Sequence, residues 1–370
     1  MKLLNLIIIC LASVVLVNSS RPAMVDIETD RIYKRKSLSI SLAVLLLIVF
    51  AGLRTEYNDT YAYRRNFNSF PSLDAFIQSD EFGITQDAGF TLYSIIFKAI
   101  FNNSYLYIML TTAFIIASFV NFIQNNVEFE NMAFVLFLFI AYGYYTFTMG
   151  AMKQSLAMAM LTYALTALKQ RKTIKYIILV FLASFIHFYA IIALIFLFLR
   201  AKPWSPRMIS IILITIVGYF LFDTFIAGLL STANSMGIYI AESELLNGEG
   251  MNIMRTAVYM VMPIMGFIKR NEIREQADNM TNLCINLSVV GAAFMLLALR
   301  NGANMFGRMA YYFYFIAILA FPKIINSFKS ARILKIICIC AFCAFFIYDN
   351  LEFESNYYAL SITEFLSKLF

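Results

Sequence analysis

SLSISLAVLLLIVFAGLRTEYNDTYAYRRNF (37–67) joins an uninterrupted apolar run to a polar, aromatic segment that begins at Arg54. The apolar run is about 17 residues long, which is enough for a helix to cross the hydrocarbon core of a membrane. A cation directly after such a helix is costly unless it faces a cavity or a partner. This stretch therefore predicts a membrane helix that ends at a charged site.

Composition extends this prediction to the whole chain. Of its 370 residues, 61% are hydrophobic and 14% are charged, an apolar share far above that of a soluble domain. Most basic residues lie in short loops, so the net charge of +7 indicates membrane orientation rather than nucleic-acid binding. We predict one all-α, polytopic transmembrane domain over residues 1–370, with about 10–12 helices.

Apolar runs predict ten full crossings and one segment that is harder to assign. The crossings are predicted at 3–18, 37–53, 105–123, 131–147, 152–168, 208–226, 253–268, 281–299, 305–321 and 332–348. The remaining run, 174–199, has His187 near its middle and is long enough for one tilted helix or two half-helices.

The distribution of basic residues sets the orientation of these helices. The segments 19–36, 169–175, 200–207, 269–280 and 322–335 carry 19 of the 29 basic residues, which predicts that they face the cytoplasm. The run 174–199 must then enter and return, with His187 at the tip of a re-entrant hairpin or at the outer turn between two short spans. Loop 124–130 disagrees, because it is assigned to the cytoplasmic side yet has two glutamates and no base.

Four segments are then extracytoplasmic: 54–104, 148–151, the acidic loop 227–252 and the tail 349–370. The long loop 54–104 contains an apolar stretch of helical period at Phe90–Phe101, which predicts an interfacial or re-entrant helix. The first 20 residues resemble a signal peptide. We expect a retained first helix instead, because cleavage would leave the basic segment 21–36 on the outer side.

Five basic residues lie at the predicted outer ends of helices: Arg54, Lys153, Arg255, Arg300 and Arg308. Each alone has an ordinary alternative, because such side chains reach lipid headgroups or pair with outer carboxylates. Together they predict an anion site. A guanidinium suits phosphate because its planar fork donates two parallel hydrogen bonds. A lipid-linked pyrophosphate, which lies at headgroup depth, fits the whole array.

Further stretches follow GLRTEYNDTYAYRRNF (52–67) in order: DAGF (87–90), KQSLAMAM (153–160), FIHFYAIIAL (185–194) and GRMAYYF (307–313), the last followed by Pro322. In this order and spacing, the chain resembles the EpsG-like, Wzy-type membrane polymerases of O-antigen, capsule and exopolysaccharide. It departs from the pattern at Lys153, where arginine is expected before Gln154. Lysine keeps the cation but loses the bidentate geometry.

The resemblance implies an enzyme of the bacterial cytoplasmic (inner) membrane, with its active site on the outer face. Such polymerases move a glycan from one undecaprenyl pyrophosphate carrier to the sugar end of another lipid-linked repeat unit. The resemblance implies a metal-independent glycosyltransferase with no cofactor and an arrangement like the C-type glycosyltransferase fold. It also implies a chain-length regulator and a flippase as partners, whereas membrane lipid as a partner, and no nucleic acid, are expected from the composition.

This chemistry needs charge stabilisation for the departing pyrophosphate and a base for the acceptor hydroxyl. We assign the first role to Arg308 and Arg54, with the other three outer cations as supports.

For the base, His187 ranks before Asp59. His187 is the one histidine of the chain, it lies in a stretch that matches the family, and imidazole titrates near neutral pH. A lone histidine in an apolar segment is also commonly a packed residue, and Asp59 can equally cap the next helix or pair with Arg64.

Contacts to the glycan are expected from side chains near the outer ends of the spans: Gln154, Asn304, Tyr61, Tyr63, Tyr144, Tyr145, Tyr311 and Tyr312. Tyrosines at this depth equally form an ordinary aromatic belt. Glutamates of the acidic loop (Glu242, Glu244 and Glu249) border an acceptor groove or, more simply, solvate the loop. With one histidine and five cysteines that all lie in predicted spans, a dedicated metal site is not expected.

Other functions also fit a polytopic chain with outer cations. A transporter or flippase of lipid-linked oligosaccharide needs cations near the headgroup, but paired repeats and charges near the midplane are expected of it. An O-acyltransferase or a glycan ligase is the other rival. Acyl transfer usually needs a buried pair such as His–Asp, and only His187 is available for it.

Overall fold

The computed structural model describes residues 1–20, 38–78, 88–235, 250–276, 278–300 and 303–369. Helices account for most of these residues, and the described part contains one sheet, a pair of short strands. The chain divides into two compact units. Unit 1 comprises residues 1–191 and 347–370, and unit 2 comprises residues 192–346.

The elements of the first part of the chain are α1 (Lys2–Asn18), α2 (Leu38–Gly52), β1 (Arg54–Glu56), α3 (Thr60–Ser69), α4 (Leu73–Gln78), α5 (Ala88–Ile100), α6 (Ser104–Asn126), α7 (Met132–Ala141), α8 (Tyr144–Gly150), α9 (Met152–Lys169) and α10 (Thr173–Ile186). Two 3₁₀ segments accompany them, Phe129–Asn131 and Phe188–Leu197.

The elements that follow are α11 (Pro206–Phe220), α12 (Phe222–Ser235), α13 (Ile253–Ile268), α14 (Arg270–Gln276), α15 (Asn279–Leu297), α16 (Asn304–Ala317), α17 (Phe321–Asn326), α18 (Ala331–Asp349), α19 (Phe353–Asn356), β2 (Tyr358–Ala359) and α20 (Ile362–Ser367). A short 3₁₀ turn, Ile318–Ala320, connects α16 to α17.

Several of these helices can cross a membrane by length and composition. In the described part of the chain, four pass this test: Ser104–Asn126, Asn279–Leu297, Met305–Asn326 and Ala331–Asp349. A bent pair, Phe129–Ala141 with Tyr144–Gly150, adds a fifth if it is one span, and shorter apolar helices of 10–17 residues accompany them. Helices occupy all ten predicted spans, and the all-α, polytopic fold class is confirmed.

Two of the predicted spans are each formed by two helices with a break between them. The span 131–147 breaks between α7 and α8, where Gly143 has a φ of +81°. The direction of the helix bends by 48° at this break. Glycine adopts this left-handed conformation without steric cost. The span 208–226 breaks at Leu221. The predicted turn 148–151 is also shorter than expected, because Ala151 alone separates α8 from α9.

The run 174–199 forms two segments, as one of the two alternatives predicts. Helix α10 ends at Ile186, His187 has an extended backbone with φ −147° and ψ 112°, and the chain continues as the 3₁₀ segment. A 3₁₀ run of this length is uncommon, since its hydrogen bonds are poorly aligned. His187 therefore lies at the break, and the placement of this break in the membrane stays a prediction.

Loop 54–104, which is predicted to be extracytoplasmic, contains more structure than expected. The predicted helix at Phe90–Phe101 is present as α5, and β1, α3 and α4 precede it. Residues 79–87 of this loop, including Asp87 of the DAGF stretch, lie outside the described residues, as do Glu242, Glu244 and Glu249 of the acidic loop.

Unit 1 is built on helix α6, which packs against α2 and α9. Helix α1 packs against α2, and the Ser13 hydroxyl donates to the Ala43 carbonyl at 3.3 Å. Helix α2 closely approaches α6 at Gly52, where an added Cβ would lie 2.3 Å from the Met109 sulfur. The absence of a side chain at Gly52 thus allows the end of α2 to lie close against α6.

The C-terminal tail also belongs to unit 1. Strand β2 pairs antiparallel with β1, with Arg54 opposite Ala359 and Glu56 opposite Tyr358. The Tyr357 hydroxyl donates to the Phe50 carbonyl at 2.7 Å, and the two rings stack with centroids 5.1 Å apart. The tail is therefore fixed to the end of α2 rather than extending freely from α18.

Unit 2 is centred on α15, whose residues 281–293 are all buried. The helix packs against α11, α13 and α16. The side-chain amide of Asn286 donates to the carbonyls of Leu199 and Ala201, both at 2.8 Å, and so anchors the chain that follows the 3₁₀ segment. Helices α15 and α16 are closest at Gly291, where an added Cβ would lie 2.7 Å from the Tyr314 ring.

We predict that Gly291→Val lowers the stability of unit 2. Tyr314 is fully buried and has no room to shift, and overpacking of this kind costs about 1–3 kcal/mol. Valine recovers only part of the helix-propensity gain of about 1 kcal/mol that alanine has over glycine. The melting temperature of the purified protein in detergent should fall. In the control, Gly218→Val on α11, an added Cβ lies 3.8 Å from Leu297, and equal melting temperatures of the two variants would contradict the prediction.

Candidate functional site

Arg54 lies directly after α2 with 1% of its surface exposed. Its Nε donates to the Thr60 hydroxyl at 3.0 Å, and its Nη1 donates to the Thr112 hydroxyl at 2.9 Å and to the Ala51 carbonyl. These acceptors belong to α3, α6 and α2. One guanidinium therefore connects three elements of unit 1.

The charge of Arg54 is not balanced by an acid. Within the described residues, no carboxylate forms an ion pair with Arg54, and its buried Nη2 atom has no hydrogen-bond partner. The surrounding ionisable groups are phenols, those of Tyr57, Tyr63, Tyr145 and Tyr357. Burial lowers the pKa of the Arg54 guanidinium to about 10, so it keeps its positive charge at neutral pH.

The turn that follows Arg54 docks on the end of α8. The Thr60 hydroxyl lies 3.3 Å from the Met149 carbonyl, and an added Cβ on Gly150 would lie 2.6 Å from the Asn58 amide. One turn further along α3, the Tyr63 hydroxyl accepts a hydrogen bond from the Lys153 backbone N–H at 3.4 Å. Arg54 and Lys153 therefore both contact the first turns of α3.

The N-terminus of α5 joins the same region. The Phe90 ring lies 5.7 Å from the Tyr63 ring, and the Lys153 ammonium lies 5.9 Å from the Phe90 centroid. An added Cβ on Gly89 would lie 2.6 Å from the Phe185 carbonyl, two residues before His187. The stretches 52–67, 88–90, 153–160 and 185–191 therefore meet within unit 1.

The other predicted residues of unit 1 differ in exposure. His187 is half-buried and its ring lies 5.5 Å from the Tyr189 ring. Asp59 is exposed at the N-cap of α3, but its side chain makes no capping hydrogen bond. Gln154 is buried with 4% exposure, whereas Tyr61 is 59% exposed. Asp59 therefore occupies the N-cap position that the alternative expected, without a side-chain capping hydrogen bond.

The three predicted arginines of unit 2 gather around Gly250 and Met251. Arg255 Nη1 lies 3.7 Å from the Met251 sulfur. An added Cβ on Gly250 would lie 2.9 Å from the Arg300 carbonyl, and one on Gly307, next to Arg308, would lie 2.1 Å from Met251. The Arg300 guanidinium also lies 5.6 Å from the Tyr219 ring centroid. Arg308 is exposed and the other two are half-buried.

The predicted tyrosines of unit 2 are buried beneath these arginines. Tyr311 is 5% exposed and Tyr312 is fully buried. The Tyr311 ring lies 6.1 Å from the Tyr259 ring, and Tyr259 is one helical turn from Arg255 as Tyr311 is from Arg308. The prediction that Tyr311 and Tyr312 contact a glycan stays a prediction, as does the prediction that all five outer cations form one site.

Sequence reasoning missed the partners that hold Arg54. Thr60 lies six residues after Arg54 within the quoted stretch 52–67, so the family-like stretch is the signal that could have found it. Thr112 lies 58 residues from Arg54 on an apolar helix, where nothing in the local pattern marks it. The Asn304 side chain lies outside the described residues. In the described part of the chain, no group of three His, Cys, Asp or Glu side chains could hold a metal ion.

Apolar helices, breaks within helices and cations at helix ends define the class, a multi-pass helical membrane protein. A sequence model of the EpsG family matches residues 37–362, and the chain belongs to this family. Membership indicates a polysaccharide polymerase role of the glycosyltransferase type. No curated protein and no solved structure matches the chain.

We predict that Thr112→Val destabilises unit 1. Valine keeps the shape of threonine but removes the acceptor for Arg54 Nη1, and a hydrogen bond to a charged group contributes about 1.5–3 kcal/mol. The melting temperature of the purified protein should fall. Thr166→Val is the matched control, because its hydroxyl is exposed and bonds only to Thr162 of its own helix. Identical melting curves for the two variants would show that the Thr112 hydrogen bond contributes nothing.

Proposed function

We propose that the protein polymerises undecaprenyl-pyrophosphate-linked oligosaccharide repeat units into a surface polysaccharide at the outer face of the bacterial cytoplasmic membrane. In this reaction, the acceptor hydroxyl attacks the anomeric carbon of the donor glycan. The bond between that carbon and the pyrophosphate oxygen breaks, the hydroxyl proton passes to a base, and lipid pyrophosphate leaves. No metal takes part, and membrane lipid, a chain-length regulator and a flippase are the partners we expect.

The buried charge of Arg54 is the observation that carries this proposal. A desolvated cation with no carboxylate beside it is unfavourable by several kcal/mol unless hydrogen bonds or an anion compensate it. Three neutral acceptors hold the group in place but leave its charge uncompensated. In low-dielectric surroundings this charge attracts an anion over a longer distance than in water. A pyrophosphate at the end of α2 would supply the missing charge.

The leaving group also needs accessible cations, and three of the predicted ones belong to unit 2. Arg308 is exposed, and Arg255 and Arg300 are half-buried. Fixed guanidinium groups stabilise the charge that develops on a departing phosphate without reorganising during the reaction. We assign stabilisation of the departing pyrophosphate to Arg308 and Arg54, with Arg255, Arg300 and Lys153 in support.

For the base, we rank His187 first and Asp59 second. His187 is the C-cap residue at the break after α10, with an extended backbone, and it is half-buried. Asp59 is exposed and its carboxylate is not used as a cap, so it is available to a sugar hydroxyl. The stretch around Asp59 contacts the start of α9, and the stretch around His187 contacts the start of α5. The Lys153 ammonium, at the start of α9, lies 5.9 Å from the Phe90 ring of α5, so either assignment is compatible with a cation nearby.

We predict that a deletion strain accumulates single repeat units on its surface and loses long chains, as seen by gel electrophoresis of the polysaccharide. Complementation with Arg308→Ala should leave polymerisation reduced about 100-fold, the usual cost of removing one charge-stabilising donor. Arg308 is exposed, so this variant should be present in the membrane at wild-type amounts. His187→Ala should give the same pattern.

Arg332→Ala serves as the control, because Arg332 is an equally exposed arginine on a segment predicted to face the cytoplasm. It should restore full chain length. Normal chains from a well-expressed Arg308→Ala variant would remove the assignment of this residue to the pyrophosphate. If no repeat unit reaches the outer face of the deletion strain, the protein transports lipid-linked oligosaccharide, and polymerisation is excluded.

A further inference from the structure

A shallow groove with a volume of about 550 Å³ lies beside the strand pair of unit 1. Its lining comes from two chain segments, the turn between β1 and α3 and the C-terminal segment around β2. The residues that line it are Glu56, Asn58, Tyr61, Ser355, Asn356 and Tyr358, together with Tyr57. The pairing of β1 with β2 brings these two segments together from opposite ends of the chain.

One lining residue, Tyr57, belongs to an aromatic cluster that joins the two segments. Tyr57 lies 5.2 Å from Phe353, Phe353 lies 4.6 Å from Tyr357, and Tyr357 lies 5.1 Å from Phe50, all measured between ring centroids. The Tyr357 hydroxyl also donates to the Phe50 carbonyl. Because these contacts fix both segments, the groove is preorganised, and a ligand would not have to order it on binding.

Two other tyrosine rings of the lining, those of Tyr358 and Tyr61, are exposed. Tyr357, just before β2, is buried at 5% exposure, whereas Tyr358, the first residue of β2, is 49% exposed. The Lys2 ammonium lies 3.5 Å from the Tyr358 ring centroid and covers one face of the ring. Tyr61, on the other segment, is 59% exposed. The groove therefore presents aromatic surface from both of its walls.

Polar groups lie between these rings. Asn58 and Asn356 each carry an amide that both donates and accepts hydrogen bonds, and Ser355 adds a hydroxyl. Sugars combine apolar C–H faces, which stack on aromatic rings, with hydroxyls that need both donors and acceptors. A site with few, well-placed polar groups on an aromatic surface is typical of small-ligand recognition.

The charge of the groove separates it from the cation sites. Among the described residues that line it, Glu56 is the one charged group. A phosphate or an anionic lipid headgroup would be repelled by this carboxylate, while the Lys2 ammonium already lies against the Tyr358 ring, and an acyl chain would leave the amides without partners. An uncharged, hydroxyl-rich ligand fits both conditions.

We propose that this groove binds the glycan part of the lipid-linked substrate, as an uncharged oligosaccharide. Glu56 is two residues along β1 from Arg54, which corresponds to about 7 Å at the rise of a strand. A glycan in the groove would therefore extend from the region where Arg54 attracts the pyrophosphate. The identity of the glycan rests on the proposed function, whereas the binding site itself rests on the groove.

The test measures binding of an oligosaccharide that carries neither lipid nor pyrophosphate. Partial acid hydrolysis of the surface polysaccharide of the strain supplies this probe, and saturation-transfer NMR detects its binding to the purified full-length protein in detergent. We expect Tyr358→Ala to weaken binding about ten-fold, because the stacking surface is lost. Asn356→Ala should weaken it too, whereas Tyr358→Phe should bind like the wild type, because the ring remains.

Tyr163→Ala removes an equally exposed tyrosine from α9 and should leave binding unchanged. Melting temperatures identify any variant that fails to fold. Asn356→Ala leaves the aromatic cluster intact, so its binding tests the groove assignment if Tyr358→Ala does not fold. Wild-type binding by folded Tyr358→Ala and Asn356→Ala variants would overturn the groove assignment while polymerisation stands. If the deletion strain keeps its long chains, polymerisation fails, yet weaker binding by Tyr358→Ala still supports a glycan site.

Discussion

The buried guanidinium of Arg54 is the interaction on which the organisation of unit 1 depends. A cation with 1% exposure at the end of an apolar helix is tolerated only if the surrounding chain supplies acceptors. Here the acceptors come from α2, α3 and α6, so satisfying one side chain fixes the direction of the chain after α2. The same residue begins β1, which pairs with the C-terminal tail.

Fixing this turn brings distant stretches together through close backbone contacts. Gly150 admits Asn58 to the junction of α8 and α9, and Gly89 lets α5 approach the chain before His187. Any larger side chain at these glycines would have to displace a neighbour, and at Gly89 that neighbour is backbone. The stretches that resemble the family are therefore in contact because glycines occur where the elements cross. These glycines have this packing role whether or not the stretches also bind substrate.

Features with a local pattern could be predicted from the sequence. Apolar runs predict the helices, because a membrane requires about 20 consecutive apolar residues in each helix that crosses it. The motifs predict the family. The break at Gly143 could not be predicted, since a single glycine within an apolar run is compatible with a continuous helix. Thr112 lies 58 residues and several helices away from Arg54, and the tail residues that pair with β1 lie hundreds of residues away. Only the folded chain brings them together.

The strand that begins at Arg54 separates two kinds of chemistry over a short distance. At one end, a desolvated cation lies among phenols with no acid beside it in the described part of the chain. At the other end, Glu56 contributes a carboxylate to a groove of amides and exposed tyrosines. A substrate with an anionic pyrophosphate at one end and an uncharged glycan at the other has the same order of charges. Electrostatics alone would then orient such a molecule along β1, because reversing it would place the pyrophosphate against Glu56 and leave the charge of Arg54 uncompensated.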